Sequence, residues 1–185
     1  SLEMFPISSE RIGWPIFELD DFSQLEKNHI ENCDKIIVCS DWAKQVVLDK
    51  TKQKNVFVVP LGADPEIFNV NRQPRGNNAC RFLICGKTEI RKLADLIPEI
   101  FAKAFQKTDN VELWMASTNV FNTPEENKKW EDYYRNSALG YKIKFVPRLN
   151  TLREVASLYN NVDCLWANSL AEGFMLPAVE ALLCG

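Results

Sequence analysis

Two carboxylates, Glu172 and Glu180, bracket the stretch Gly173-Phe-Met-Leu-Pro-Ala-Val179, which reads as a loop running into a helix. Upstream, Val162-Asp-Cys-Leu-Trp-Ala167 has the apolar run of a short buried strand. Downstream, Pro177 suits the first helical position, where its missing N–H would be unpaired anyway. Glu172 then lies on the loop at the strand's C-terminal end, and Glu180 about one turn into the helix. The backbone N–H groups of Gly173, Phe174, Met175 and Leu176 are left at the positive end of the helix dipole, where phosphate binds well. Carboxylates beside them accept hydrogen bonds from hydroxyls, so the pattern suits a sugar joined to a phosphate. A glutamate in a first turn also gains from the dipole alone, and a glycine before a helix is ordinary loop chemistry, so the pair needs support elsewhere.

That support comes from Gly86, which follows the strand Phe82-Leu-Ile-Cys85 and precedes Lys87, Arg91 and Lys92. A backbone without a Cβ lets a ligand approach closely, and nearby cations can neutralise a diphosphate. Cations at a helix start oppose the dipole, which favours a ligand role over a purely structural one. Neither GxGxxG nor GxxxxGK[ST] follows any strand, so dinucleotide and P-loop fingerprints are absent.

The rest of the composition narrows the field. A formal charge of −3 gives no case for nucleic acid, and no apolar run approaches the roughly 20 residues a spanning helix needs. The six cysteines form no CxxC pair, and with several in apolar runs they are expected to be buried and reduced in a cytoplasmic protein. No metal site is expected. The one histidine, His29, reads as a surface helix residue, and Asp20 and Asp21 read as caps of a helix starting near Phe22. Trp14, Phe17, Trp42, Trp114 and Trp166 read as core, whereas Phe174 sits on a loop with no strand to fill.

The elements that would position these groups alternate. Strands are expected at 36–39, 55–60, 82–85, 111–116 and 142–146. Ser40 caps a helix to about Asp49, and apolar residues from Leu93 to Phe105 recur at helical spacing. Thr123-Pro-Glu-Glu126 and Thr151-Leu-Arg-Glu154 are capping boxes. Strands alternating with helices make right-handed parallel βαβ units, with helices on both faces and ligands at the strands' C-terminal ends. Gly86-Lys87, Pro147-Arg148 and Ser169 to Gly173 all fall there. The polar stretch 69–78 is the best linker in the chain. It separates an expected first domain, 1–68, from a second, 81–185, across a 69–80 connection.

From about Glu10 to Gly185 the chain resembles the retaining glycosyltransferases of the GT-B fold, the large group called group 1. The likeness rests on Cys33–Lys44, Val58–Phe68, Ile84–Lys92 and the Glu-x7-Glu stretch Glu172–Glu180, in the family's order. It implies Rossmann-like parallel sheets of GT-B type, with 1–68 the end of an acceptor-side domain and 81–185 a donor-binding domain lacking its last elements. It implies a partial chain whose own turnover is in doubt. The activity implied is transfer of a sugar from a nucleotide-sugar donor, with retention, to a glycan, lipid or protein acceptor. No cofactor or metal is implied, the donor being substrate, and peripheral membrane association of the full-length protein is compatible with it. By position, Lys87 and Lys92 would hold the diphosphate. Glu172 would accept from the donor sugar, beside Gly173 and Phe174, Glu180 from the ribose, and Arg148 would border the base. Leu93 stands where the family usually has glycine, and Lys87 replaces a common arginine. The rival expectations are an epimerase-like enzyme on the same fold and a nucleotide-sugar-binding or inactive fragment.

Overall fold

The computed structural model describes residues 10–185. The chain divides into two compact units. One comprises the described residues through Gly62 together with Ala171–Met175, and the other comprises Ala63–Leu170 with Leu176–Gly185.

The first unit is built on three parallel strands in the order β1 (Ile12–Gly13), β2 (Lys35–Val38) and β3 (Val56–Val58), with α1 (Gln24–Glu31) and α2 (Asp41–Lys50) between them. Alternation along β2 buries Ile36 and Val38 on one face, against Val46 and Val47 of α2. Ser40 caps α2 as expected, accepting from the Ala43 N–H at 3.1 Å. The cap of α1 differs from the sequence expectation. Ser23 and Glu26 form a reciprocal capping box, while Asp21 accepts from Phe22 N–H and pairs with Lys27 at 3.1 Å. A hydroxyl three residues before a glutamate closes both orphan donors, which an aspartate further upstream cannot do.

The second unit holds β4 (Cys80–Cys85), a 3-10 turn (Ile90–Lys92), α3 (Ile97–Ala104), β5 (Val111–Ala116), α4 (Pro124–Arg135), β6 (Ile143–Phe145), α5 (Leu152–Asn160), β7 (Cys164–Leu165) and α6 (Leu176–Leu183). Its sheet is parallel throughout, in the order β6-β5-β4-β7. The pleat sorts the core. Ile84, Leu113 and Met115 face α3 and α4 on one side, whereas Leu83, Trp114 and Leu165 face α5 and α6 on the other. The expected α/β class, parallel sheets with helices on both faces, is what this unit has. Both expected capping boxes are present, at Thr123 and Thr151.

Four local expectations need correction. The apolar period from Leu93 to Phe105 is not one helix, because Leu93 has φ 51° and breaks the path, and α3 begins at Ile97 with Pro98 in its first turn. All six cysteines are free, but Cys80 and Cys164 are exposed rather than buried, since both sit on the sheet's uncovered lower rim. Trp14 and Trp42 are about half exposed, at 53% and 46%, so they are not core. Pro177 is the second residue of α6, not the first.

Residues 69–75 belong to the second unit and are tied to its helix α5 and the start of β7. Asn160 accepts from Asn71 N–H at 2.7 Å and donates to the Asn69 carbonyl at 3.0 Å, and Arg75 forms a forked pair with Asp163. No helix among the described residues is long and apolar enough to cross a membrane.

Candidate functional site

The chain leaves β4 towards β5 and β6 and returns on the other side of β4 as β7. The C-terminal end of β4 is therefore the switch point of the sheet, where open parallel sheets bind ligands. Gly86 sits there with φ +139°, a conformation that L side chains rarely adopt. A Cβ at this position would meet Nζ and Cε of Lys92 at 3.4 Å, so the ammonium of Lys92 lies over bare backbone.

Two sets of hydrogen bonds hold this turn. From one side, Thr88 donates its N–H and hydroxyl to the Ser117 carbonyl, at 2.9 and 2.7 Å, and Asn119 donates to the Thr88 carbonyl. From the other, the loop after β7 reaches across. Asn168 donates to the Lys92 carbonyl, and Ser169 Oγ and Leu170 N–H donate to the Arg91 carbonyl. The left-handed Leu93 is what turns the chain sharply enough to present both carbonyls. It stands at the position where the resemblance leads one to expect glycine, and the backbone explains that preference.

Lys87 places its ammonium 4.7 Å from the ring centroid of Phe121, a loop side chain 81% exposed. Arg91 pairs with Glu89 at 2.8 Å. Arg148 lines a cavity of about 160 Å3 with Cys85, Ala116, Thr118, Val146 and Pro147, all at the C-terminal ends of β4, β5 and β6. A larger cavity, about 400 Å3, shares Thr118, Val146 and Pro147 and runs beneath α4.

Glu180 lies on the inner side of α6, where its Oε2 accepts from the buried hydroxyl of Tyr159 at 2.9 Å. That hydroxyl is also 3.5 Å from Cys85 Sγ. Burial pushes the Cys85 thiol above its ordinary range and Glu180 adds to the effect, against the hydroxyl of Tyr159 and the charge of Lys92. Burial also raises the Tyr159 phenol, with Cys85 and Glu180 reinforcing it. Cys85 thus feels the charges of both Lys92 and Glu180. Gly86, Lys87, Arg91, Lys92, Arg148 and Glu180, singled out from sequence, all belong to the second unit, around the ends of its strands.

Glu172, Gly173, Phe174 and Met175 belong to the first unit. There Gly173 is pressed against the chain at 16–17. A Cβ would meet Ile16 Cγ2 at 2.7 Å and the Phe17 carbonyl at 3.1 Å, and Cys39 Sγ donates to the Gly173 carbonyl at 3.2 Å. Met175 closes this loop with φ 59°, and Leu176 opens α6. His29 lies in α1, as expected, and is half-buried. Among the described residues no group of three or more His, Cys, Asp or Glu is arranged to hold a metal ion.

Sequence reasoning missed Tyr159, Asn168 and Phe121 as parts of this region. Only Phe121 carried a local signal, a bulky aromatic in a polar loop.

The chain matches no protein-family model and no curated protein. Its structure is similar to that of sucrose-phosphate synthase from Thermosynechococcus elongatus, with a TM-score of 0.73 and 21% identity over 87% of this chain and 41% of that one. It is similar to HepE from Anabaena, crystallised with UDP and glucose, with a TM-score of 0.75 and 17% identity over 94% of this chain and 50% of that one. It is also similar to a variant of S. aureus TarM crystallised with fondaparinux, α-GlcNAc-glycerol and UDP, with a TM-score of 0.67 and 17% identity over 95% of this chain and 35% of that one. The chain spans half or less of the length of these three proteins, and at such identities the likeness establishes the shared fold.

Proposed function

We propose that this chain carries the donor-binding part of a glycosyltransferase that takes a sugar from a nucleotide-sugar and transfers it with retention of anomeric configuration. The observation that carries the reading is the switch point of the second unit, where Lys92 lies over Gly86, Lys87 follows, and Glu180 and the Arg148 cavity stand at the same strand ends. Bare backbone and two ammonium groups suit a diphosphate. A carboxylate on the next helix suits ribose hydroxyls, and a cavity of about 160 Å3 suits a heterocyclic base. The fold shared with HepE and TarM, whose crystals hold UDP, supports a nucleotide-sugar donor and a glycan acceptor.

In this reading Lys87 and Lys92 stabilise the negative charge that grows on the departing diphosphate. Fixed charges act most strongly there because they need no reorganisation as the bond breaks. Glu172 accepts from the donor sugar, with the backbone of Gly173, Phe174, Met175 and Leu176 beside it. Arg91 borders the phosphate turn.

The test is calorimetry with UDP-glucose and a panel of other nucleotide-sugars, followed by NMR of the anomeric proton in any product. Binding is expected to weaken about tenfold or more when Glu180→Ala removes the charged acceptor. Unchanged affinity in Glu180→Ala and Lys92→Ala would sink the assignment, and an inverted product would sink retention.

A further inference from the structure

Tyr159 is 3% exposed on the inner face of α5, yet its polar end is turned to Glu180 and Cys85 rather than to water. A phenol has one proton to donate. The carboxylate at 2.9 Å takes it, because a hydrogen bond to an ionised acceptor is about twice as strong as one to a neutral group. Cys85 is then left to donate its S–H towards the phenol oxygen. The chain of donors runs one way, from the end of β4 through α5 to the carboxylate on α6.

This direction has a geometric consequence. Glu180 Oε2 is committed inside the protein, so Oε1 is the oxygen with lone pairs left for a ligand. The carboxylate plane is also fixed, since a glutamate held at one oxygen loses most of its rotamer freedom before any ligand arrives.

We propose that Tyr159 is a positioning residue that locks the Glu180 carboxylate in the orientation needed to receive the ribose diol of the nucleotide donor through Oε1. The inference rests on the reading of Glu180 given above, and it assigns to Tyr159 a role in ligand affinity besides its place in the core.

The experiment uses the full-length protein and calorimetry with UDP, ADP and GDP, then with the 2′,3′-dideoxy form of whichever diphosphate binds tightest. Tyr159→Phe keeps the ring, its packing and its 6.3 Å approach to Phe68, and removes only the hydroxyl. Affinity for the ribose form is expected to fall about five- to tenfold. Affinity for the dideoxy form is expected to stay within twofold of wild type, and Tyr159→Phe should add nothing in a Glu180→Ala background. An equal loss for both ligand forms would mean that the tyrosine serves the fold alone, which overturns the inference. So would unchanged affinity in Tyr159→Phe while Glu180→Ala weakens binding, with the reading of the site left standing. If no diphosphate binds, or Glu180→Ala has no effect, the site reading fails and takes this inference with it.

Discussion

The two ends of the second unit's sheet are made of similar residues in different settings. At the N-terminal ends, cations and carboxylates are paired with one another. Asp163 takes both arms of Arg75 and the Arg81 N–H, while Glu112 meets Arg81 at 3.3 Å and Lys144 at 2.7 Å. The rings are part of this arrangement, since the Arg81 guanidinium lies 4.9 Å from the centroid of Trp114. At the C-terminal ends the ammonium of Lys92 lies over a glycine, Lys87 rests against an aromatic face, and the backbone takes left-handed turns. One end ties its charges together across strands, whereas the other sets two ammonium groups beside a glycine and an aromatic ring at the switch point. Stability and ligand binding should therefore be separable by substitutions only a strand's length apart.

The largest effect is expected at the C-terminal end. On the function proposed above, Lys92→Ala should lower the rate of sugar transfer by about a hundredfold or more, the scale of losing one preorganised group that stabilises developing charge. Next comes the N-terminal end. Glu112→Ala leaves the Arg81 guanidinium, with its side chain 11% exposed, without its carboxylate. Uncompensated charges in such settings cost about 3 kcal/mol, which chemical denaturation would read, while nucleotide affinity should not move.

A smaller effect separates the ends by pH. Arg75 and the Arg81 N–H hold the Asp163 carboxyl below its ordinary range, with burial opposing. A depressed folded-state pKa stabilises above the unfolded value, about 3.9, and that contribution drains away as pH falls through the folded value. Asp163→Asn should thus cost about 1–2 kcal/mol between pH 5 and 8. The gap to wild type should close progressively below pH of about 4, as followed by thermal melts. The smallest effect is Leu93→Gly, which relieves a left-handed leucine and should raise stability by less than about 1 kcal/mol, the lost side-chain burial offsetting part of the gain.

How much of this was legible in the sequence depended on how local each signal was. The boxes at Thr123 and Thr151 were readable because hydroxyl and glutamate act on each other three residues apart. Ser23-Gln-Leu-Glu26 has the same form, but the acidic pair just before it offers a competing cap of the same chemistry. The break at Leu93 was invisible to periodicity, which counts apolar positions and is blind to φ, although Pro98 marked the true start of α3. At the candidate site, Gly86 and the lysines were legible as a glycine followed by cations after a strand. Tyr159 and Asn168 were not, because each acts through a partner more than 20 residues away along the chain.

The loop after β7 holds the turn after β4 through the main-chain carbonyls of Arg91 and Lys92. Glutamine, norleucine or a chemically trimmed analogue at residue 92 would leave these main-chain acceptors in place. Charge, length and hydrogen-bond capacity at residue 92 can therefore be varied one at a time while the carbonyl it offers the loop stays the same.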